Sequence, residues 1–272
     1  MTTTQTWAER WERQQERYAV GREERFTVIA DVVEYATLGQ QHPSVVDLGC
    51  EPGSLSARLA ARLPGARIVA ADIDPFLLEL GRATYANAAR YVEVTIGEPG
   101  WLAELGLDGP LDAAVSTTAP HYPEPHTLRQ IYRDLASVLR PGGALVNGDH
   151  LVPEEPAPAA LTVAVGRRRS DRERADDAED WDSWWAAVGQ HAEFAEPLAA
   201  RAEQPAPRAA TEAASPPPST NACSARRDSA TSGRYGSTGA AACCSRCAER
   251  RAPARGLRVF RRFLLKSIII SL

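Results

Sequence analysis

The stretch from Val45 to Leu63 constrains this chain most. Val45-Val46-Asp47-Leu48 is a short apolar run that stops at Gly49, as a buried parallel strand does at its carboxyl end. After Gly53, Leu55, Leu59 and Leu63 recur every four residues, the spacing of one helix face. Ser54 is expected to cap that helix and Pro64-Gly65 to end it. A strand, a tight glycine turn and a helix leave backbone N–H groups and bare backbone for a ligand to approach.

The same alternation continues along the chain. Ile68-Val69-Ala70-Ala71 predicts a second strand, followed by Asp74-Pro75, an N-cap and a first helical position. Tyr91 to Ile96 predicts a third strand and Asp112 to Val115 a fourth. Leu128, Ile131, Tyr132, Leu135 and Leu139 mark a helical face closed by Arg140-Pro141-Gly142-Gly143, and Ala144-Leu145-Val146 predicts a fifth strand. Strands alternating with helices over short connections imply right-handed crossovers. The expected fold is α/β and doubly wound, a mainly parallel sheet with helices on both faces. Ligands of such sheets bind at the carboxyl ends of the strands, near the point where strand order reverses.

The loop Asp47-Leu48-Gly49-Cys50-Glu51-Pro52-Gly53 lacks the G-x-G-x-x-G of dinucleotide sites, which disfavours a nicotinamide-dependent oxidoreductase. An acid two residues before Gly49, with Gly53 following, resembles motif I of the class I S-adenosylmethionine-dependent methyltransferases, which runs acid-x-Gly-x-Gly-x-Gly. The resemblance extends in order to Leu139-Arg140-Pro141-Gly142-Gly143. It implies a Rossmann-like fold, S-adenosyl-L-methionine as cofactor and methyl transfer as the reaction. By the same resemblance Asp47, Gly49, Cys50, Glu51 and Gly53 form the cofactor loop. Asp72 would accept both ribose hydroxyls and Ile73 would pack on the adenine. Glu98, where the family usually has Asp, would lie near the adenine amino group. Thr117, within Ser116-Thr117-Thr118-Ala119, would lie beside the methionine part. Glu51 stands where the middle glycine is usual. Its carboxylate is expected to crowd the cofactor and repel the cofactor's own carboxylate, so that Glu51→Gly would tighten binding.

His121 and Tyr122 follow the fourth strand, at the rim of the expected acceptor pocket, and His121 is the candidate general base. Asp149 and His150 follow the fifth strand and could face the pocket, with helix capping the expectation. Residues 7 to 37 read as amphipathic helices: Trp7, Trp11 and Tyr18 share one face, and Phe26, Ile29 and Val33 form a second stripe. Such stripes are more often packing surfaces, but the resemblance, in which N-terminal helices often close over the cofactor, implies that residues 1–43 form an N-terminal helical lid on a core of residues 44–152. Trp11 and Tyr18 would join His121 and Tyr122 as acceptor contacts, since aromatic faces suit a sulfonium or a flat substrate.

Composition narrows the partners. A net charge of -4 does not suit a nucleic-acid binder, and no Asn-Pro-Pro-Tyr-like run follows the fourth strand, so a small-molecule acceptor is expected. No apolar segment opens the chain, and the run from Leu257 to Leu272 is short and carries Arg258, Arg261, Arg262 and Lys266. No membrane partner and a cytoplasmic location are expected. Cys244-x-x-Cys247 has no second pair and no histidine after His191, so no metal site is expected. Residues 153–203 read as a helical segment with Trp181, Trp184 and Trp185 close together. Residues 201 to 256 contain no Leu, Ile, Val, Phe, Met or Trp and cannot bury enough surface to offset chain entropy. Residues 204–272 are expected to be disordered or translated out of frame: shifted by one base, every Cys codon gives Leu, Met or Val, which turns Cys243-Cys244-Ser245-Arg246-Cys247 into an apolar strand pattern. The family's closing antiparallel strand pair would then be missing and the edge of the fifth strand exposed. Glu51 and this tail keep a second reading open, a cofactor-binding but inactive or frame-damaged methyltransferase-like protein.

Overall fold

The computed structural model describes residues 2–149, 156–204 and 266–270. Its strands are β1 (Ser44–Leu48), β2 (Arg67–Asp72), β3 (Arg90–Glu93), β4 (Leu111–Thr117), β5 (Leu139–Gly148) and β6 (Lys266–Ile270). Helices α1 (Thr3–Glu16) and α2 (Arg22–Ala36) precede the sheet, and α3 (Ser54–Arg62), α4 (Pro75–Thr84), α5 (Trp101–Glu104) and α6 (Pro125–Val138) alternate with the strands. Helices α7 (Pro156–Glu173), α8 (Trp181–Val188) and α9 (Ala195–Glu203) follow β5. The sheet order is β3-β2-β1-β4-β5-β6, and every pairing is parallel. Order reverses between β1 and β4, which makes the sheet doubly wound and Rossmann-like and sets the ligand crevice at the carboxyl ends of those two strands.

Strand pleat divides the core in two. Val46, Val69, Ala114 and Leu145 face Leu105, Ile131 and Leu135 on one side. Their neighbours Val45, Ile68, Ala113 and Ala144 face Phe26, Ile29 and Val33 of α2 and Leu55 and Leu59 of α3 on the other. Burial of both faces is why these strands are continuous apolar runs rather than alternating ones. A further cluster joins α1, α4, α8 and the turn before α9: Trp7, Trp11, Phe76, Leu77, Leu80, Trp184, Val188 and Phe194 are buried together. The rings of Trp11 and Trp184 meet edge to face at 4.9 Å, and those of Trp7 and Trp184 at 5.7 Å. Helix α1 and the segment after β5 therefore share one aromatic layer.

Several boundaries differ from the sequence expectation. Gly53, left-handed at φ 86, caps α3, and Ser54 is the first helical residue, its Oγ buried with no hydrogen-bond partner among the described residues. The Tyr91 ring packs where a Gly53 side chain would lie. Asp74 caps α4 as expected, accepting from Phe76 N at 3.0 Å and Leu77 N at 3.1 Å. The third strand is shorter than expected, ending at Glu93. The edge of β5 is not bare: Lys266–Ile270 pairs with Ala144–Gly148 in parallel. Within the expected tail, the β-branched Ile268, Ile269 and Ile270 supply a segment suited to a strand. Residues 205–265, including Cys244 and Cys247, lie outside the described residues, as does His150. Among the described residues no helix is long and apolar enough to cross a membrane.

Two buried carboxylates tie the sheet to its helices. Asp112 accepts from Ser44 N at 2.8 Å and from Arg140 Nε, and Arg140 also donates to the Ala36 carbonyl at 2.7 Å. The Asp112–Arg140 pair thus joins the starts of β1, β4 and β5 to the end of α2. Asp112→Ala should cost roughly 1.5–3 kcal/mol, the range for hydrogen bonds to charged groups, read as a lower urea midpoint at unchanged slope; an unchanged midpoint would refute this role. Asp47, at the end of β1, is fully buried. It accepts from Ser56 Oγ at 2.7 Å, and its other oxygen has no partner among the described residues. Burial pushes its carboxyl up to about 7. The unfolded chain releases that proton near pH ~4, so between about pH 4 and 7 the native state holds more protons and stability falls as pH rises. Asp47→Asn removes this loss. Its unfolding midpoint should decline less than the parent's across that window, and parallel pH profiles would exclude the assignment.

Candidate active site

The site is built where β1, β2, β4 and β5 end. Gly49 and Gly53 are left-handed, at φ 67 and 86. A side chain on Gly49 would collide with Ala119, from the loop after β4, so glycine permits the close approach of the two loops at the switch point. Gly49 N and Cys50 N both donate to the Ala71 carbonyl, at 2.8 and 3.1 Å. The turn is thereby fastened to β2. Cys50 is buried, and burial pushes its thiol well above the usual range.

Asp72 lies at the end of β2. Its Oδ2 accepts from Glu51 N at 2.8 Å and its Oδ1 from Asp74 N at 3.0 Å. A carboxylate offers about four lone-pair sites, so two remain for a ligand. Burial pushes Asp72 up to about 7, against these two backbone donors. Ile73 is half-buried beside it. Thr117, at the end of β4, is buried, and its Oγ1 has no partner among the described residues. Glu98 sits in an exposed turn, its backbone N donating to Thr95 O at 3.2 Å.

Glu51 departs from the sequence expectation. It is left-handed at φ 53, and its carboxylate is not an uncompensated charge beside the cofactor loop. Trp11 Nε1 donates to Oε2 at 3.1 Å and Arg22 donates to the same oxygen at 3.0 Å. Arg22 is 4% exposed and also pairs with Glu12. Burial raises the Glu51 carboxyl, and the charge of Arg22 opposes that shift. Trp11 is fully buried in the aromatic layer with its indole N–H on this loop. Tyr18 is 41% exposed, and its hydroxyl accepts from Trp181 N at 2.9 Å.

On the β4–β5 side, Asp149 directly follows β5. It is buried beneath His121, whose Nδ1 lies 2.9 and 3.1 Å from its two carboxylate oxygens. The Tyr122 ring lies 4.3 Å from the imidazole, and Tyr122 is 51% exposed. Burial raises the Tyr122 hydroxyl, with Glu51, Asp149 and Asp72 adding to the shift. Arg25, 1% exposed on α2, faces Asp149 with its charge. Sequence reasoning missed Arg22, Arg25 and the pairing of Asp149. The available signal was Arg22 itself, which continues the apolar stripe of Phe26, Ile29 and Val33 and so demands a buried partner.

Comparison with known proteins agrees with this geometry. Residues 45–143 match a family model described as a methyltransferase domain. An uncharacterized methyltransferase of Mycobacterium tuberculosis (strain H37Rv) is 38% identical over 102 residues, 37% of this chain and 47% of the relative. The trans-aconitate 2-methyltransferase of Methylobacterium nodulans is 30% identical over 156 residues, 53% of this chain and 56% of that protein. Among solved structures, the sugar N-methyltransferase of Streptoalloteichus is 20% identical, with a TM-score of 0.39 over 47% of this chain and 49% of that one. The chain spans about half the length of these relatives. With the glycine loop, the acid closing β2 and the strand order in place, residues 45–143 match a methyltransferase domain on a doubly wound parallel sheet.

Proposed function

We propose that this chain transfers a methyl group from S-adenosyl-L-methionine to a protonated nucleophile on a small molecule, with His121 as general base. The observation that carries this reading is the His121–Asp149 pair at the ends of β4 and β5, across the switch point from the glycine loop. The residues at that loop fit the cofactor. Two glycines take the left-handed turn, Asp72 is oriented by two backbone donors and retains accepting capacity, and Thr117 Oγ1 is buried and unpartnered among the described residues. Gly49, Cys50, Glu51 and Gly53 would line the loop, Asp72 would hold the ribose hydroxyls, and Ile73, Glu98 and Thr117 would border the rest.

When bound, the cofactor supplies a methyl group made electrophilic by its sulfonium. The protein's work is alignment, exclusion of water and removal of a proton. Asp149 is buried and accepts from His121 Nδ1–H, which fixes the ring and leaves the Nε2 lone pair as the base. That nitrogen would take the acceptor's proton as the acceptor atom bonds to the methyl carbon, the methyl–sulfur bond breaking with S-adenosylhomocysteine as the leaving group. Tyr122, packed on the imidazole and half exposed, offers an aromatic face to the acceptor. Trp11 acts at one remove, through Glu51, and Tyr18 borders the lid.

A small acceptor, rather than a nucleic acid, also suits the charge distribution. Arg10, Arg22, Arg58, Arg62 and Arg169 are each engaged by Asp or Glu, which leaves their charge neutralised rather than arrayed for phosphates. The active reading gains over an inactive one because Glu51 is paired. No organelle or membrane is required by the reading, and a cytoplasmic location accords with it.

Two measurements test the assignment. Asp72→Ala should weaken binding of S-adenosylhomocysteine by roughly 1.5–3 kcal/mol in calorimetric titration; an unchanged dissociation constant removes Asp72 from the ribose. With an acceptor found by screening small molecules against radiolabelled cofactor, His121→Ala should lower kcat about 10²–10⁴-fold while leaving S-adenosylhomocysteine affinity within a factor of about two, and Asp149→Asn should fall between. Full turnover in His121→Ala would dismiss the base.

A further inference from the structure

We propose that Glu51 is a positioning residue that latches the N-terminal helices α1 and α2 onto the cofactor loop, and that this latch, rather than a glycine, gives the loop its shape in this chain. The inference rests on the cofactor reading above.

Left-handed backbone at a residue with a large side chain costs about 1–3 kcal/mol and persists only where the surroundings over-determine it. Three elements do so here. From β2, Asp72 accepts the Glu51 backbone N–H at 2.8 Å. From α1, Trp11 donates to the carboxylate at 3.1 Å, and from α2, Arg22 donates at 3.0 Å. Behind Arg22 the network continues through Glu12 to Arg58 on α3 and to the Tyr85 hydroxyl. The charges facing Glu51 are Arg22 from α2, Glu12 from α1, Asp47 from β1 and Asp72 from β2, with the Tyr122 hydroxyl from the β4 loop. Arg22 is the cation bonded to the carboxylate in this group. Without Glu51, α1 would keep its aromatic contacts to α4 and α8 but lose its polar tie to the loop that the cofactor meets.

The latch also reaches the acceptor side. Arg22 and Arg25 lie three residues apart on α2 and so on one face. Arg25 is packed against Gly148 and faces Asp149, the anchor of His121. Fastening α2 to the cofactor loop thereby sets the helix that carries the charge behind the base.

Hydrogen exchange and calorimetry on the full chain decide the matter. In Glu51→Gly, amides of residues 3–16 should exchange faster than in the parent, although glycine relieves the left-handed strain. S-adenosylhomocysteine should bind roughly tenfold more weakly, the scale of one lost charge-assisted contact. Glu51→Gln, which keeps an acceptor for Trp11 but no charge for Arg22, should fall between. Unchanged exchange at residues 3–16 in Glu51→Gly, or tighter binding by that variant, overturns the latch. If the parent binds no S-adenosylhomocysteine, the proposed function fails, while the exchange comparison still decides the latch.

Discussion

The carboxylate of Asp72 is the joint on which the site depends. It takes the backbone N–H of Glu51 from the β1 exit and that of Asp74 from the start of α4. Parallel strands deliver their chains to the same end of a sheet, where turns and helix starts leave backbone donors without intrahelical partners. Satisfying two of them with one buried acid fixes the loop before any ligand arrives. The arrangement carries an electrostatic cost. Asp47, Glu51 and Asp72 converge, and burial raises all three carboxyls. The compensating cation, Arg22, comes from α2 and not from the sheet. The N-terminal helices are thus part of the site's charge balance as well as its cover.

The sheet was legible because its strands are buried on both faces. Val45-Val46, Ile68-Val69 and Ala144-Leu145 each send one residue to each core cluster, so no polar alternation interrupts the runs. Asp74-Pro75 was legible because capping is a local matter of two adjacent residues. What failed were features decided by contacts distant in sequence. Ser54 has the right chemistry for a cap, yet Gly53 takes the position, because the Tyr91 ring from β3 fills the space beside it. The pairing of β6 with β5 depends on an apolar segment reaching an open edge, and composition upstream of Lys266 gave no hint of it.

The site shows the same division. Gly49, Gly53 and Asp72 were legible as positions in an ordered series of strands and turns. The Glu51–Arg22 and His121–Asp149 pairs were not, since their members lie 29 and 28 residues apart and a sequence shows charges one at a time. Glu51 looked like an intruder in a glycine loop only because its counterion was invisible. A charged residue in a position that favours glycine, and an arginine on an apolar helical stripe, are each anomalous alone. Together they predict each other, because a buried charge must find a partner.

The placement of these pairs bears on how such a chain diverges from its relatives. The matched methyltransferase domain covers residues 45–143. It holds the glycine loop, Asp72 and His121, but Trp11, Arg22 and Arg25 precede it and Asp149 follows it. The glycine loop itself sits inside the matched region, and the side chains that bond to the Glu51 carboxylate and to His121 sit outside it. A change at Trp11 in α1 or Arg22 in α2 therefore bears directly on the glycine loop through Glu51, and a change in the loop must be answered from those helices. Glu51 with Arg22 has the form of such an answer: the charge inside the domain is neutralised by a residue outside it.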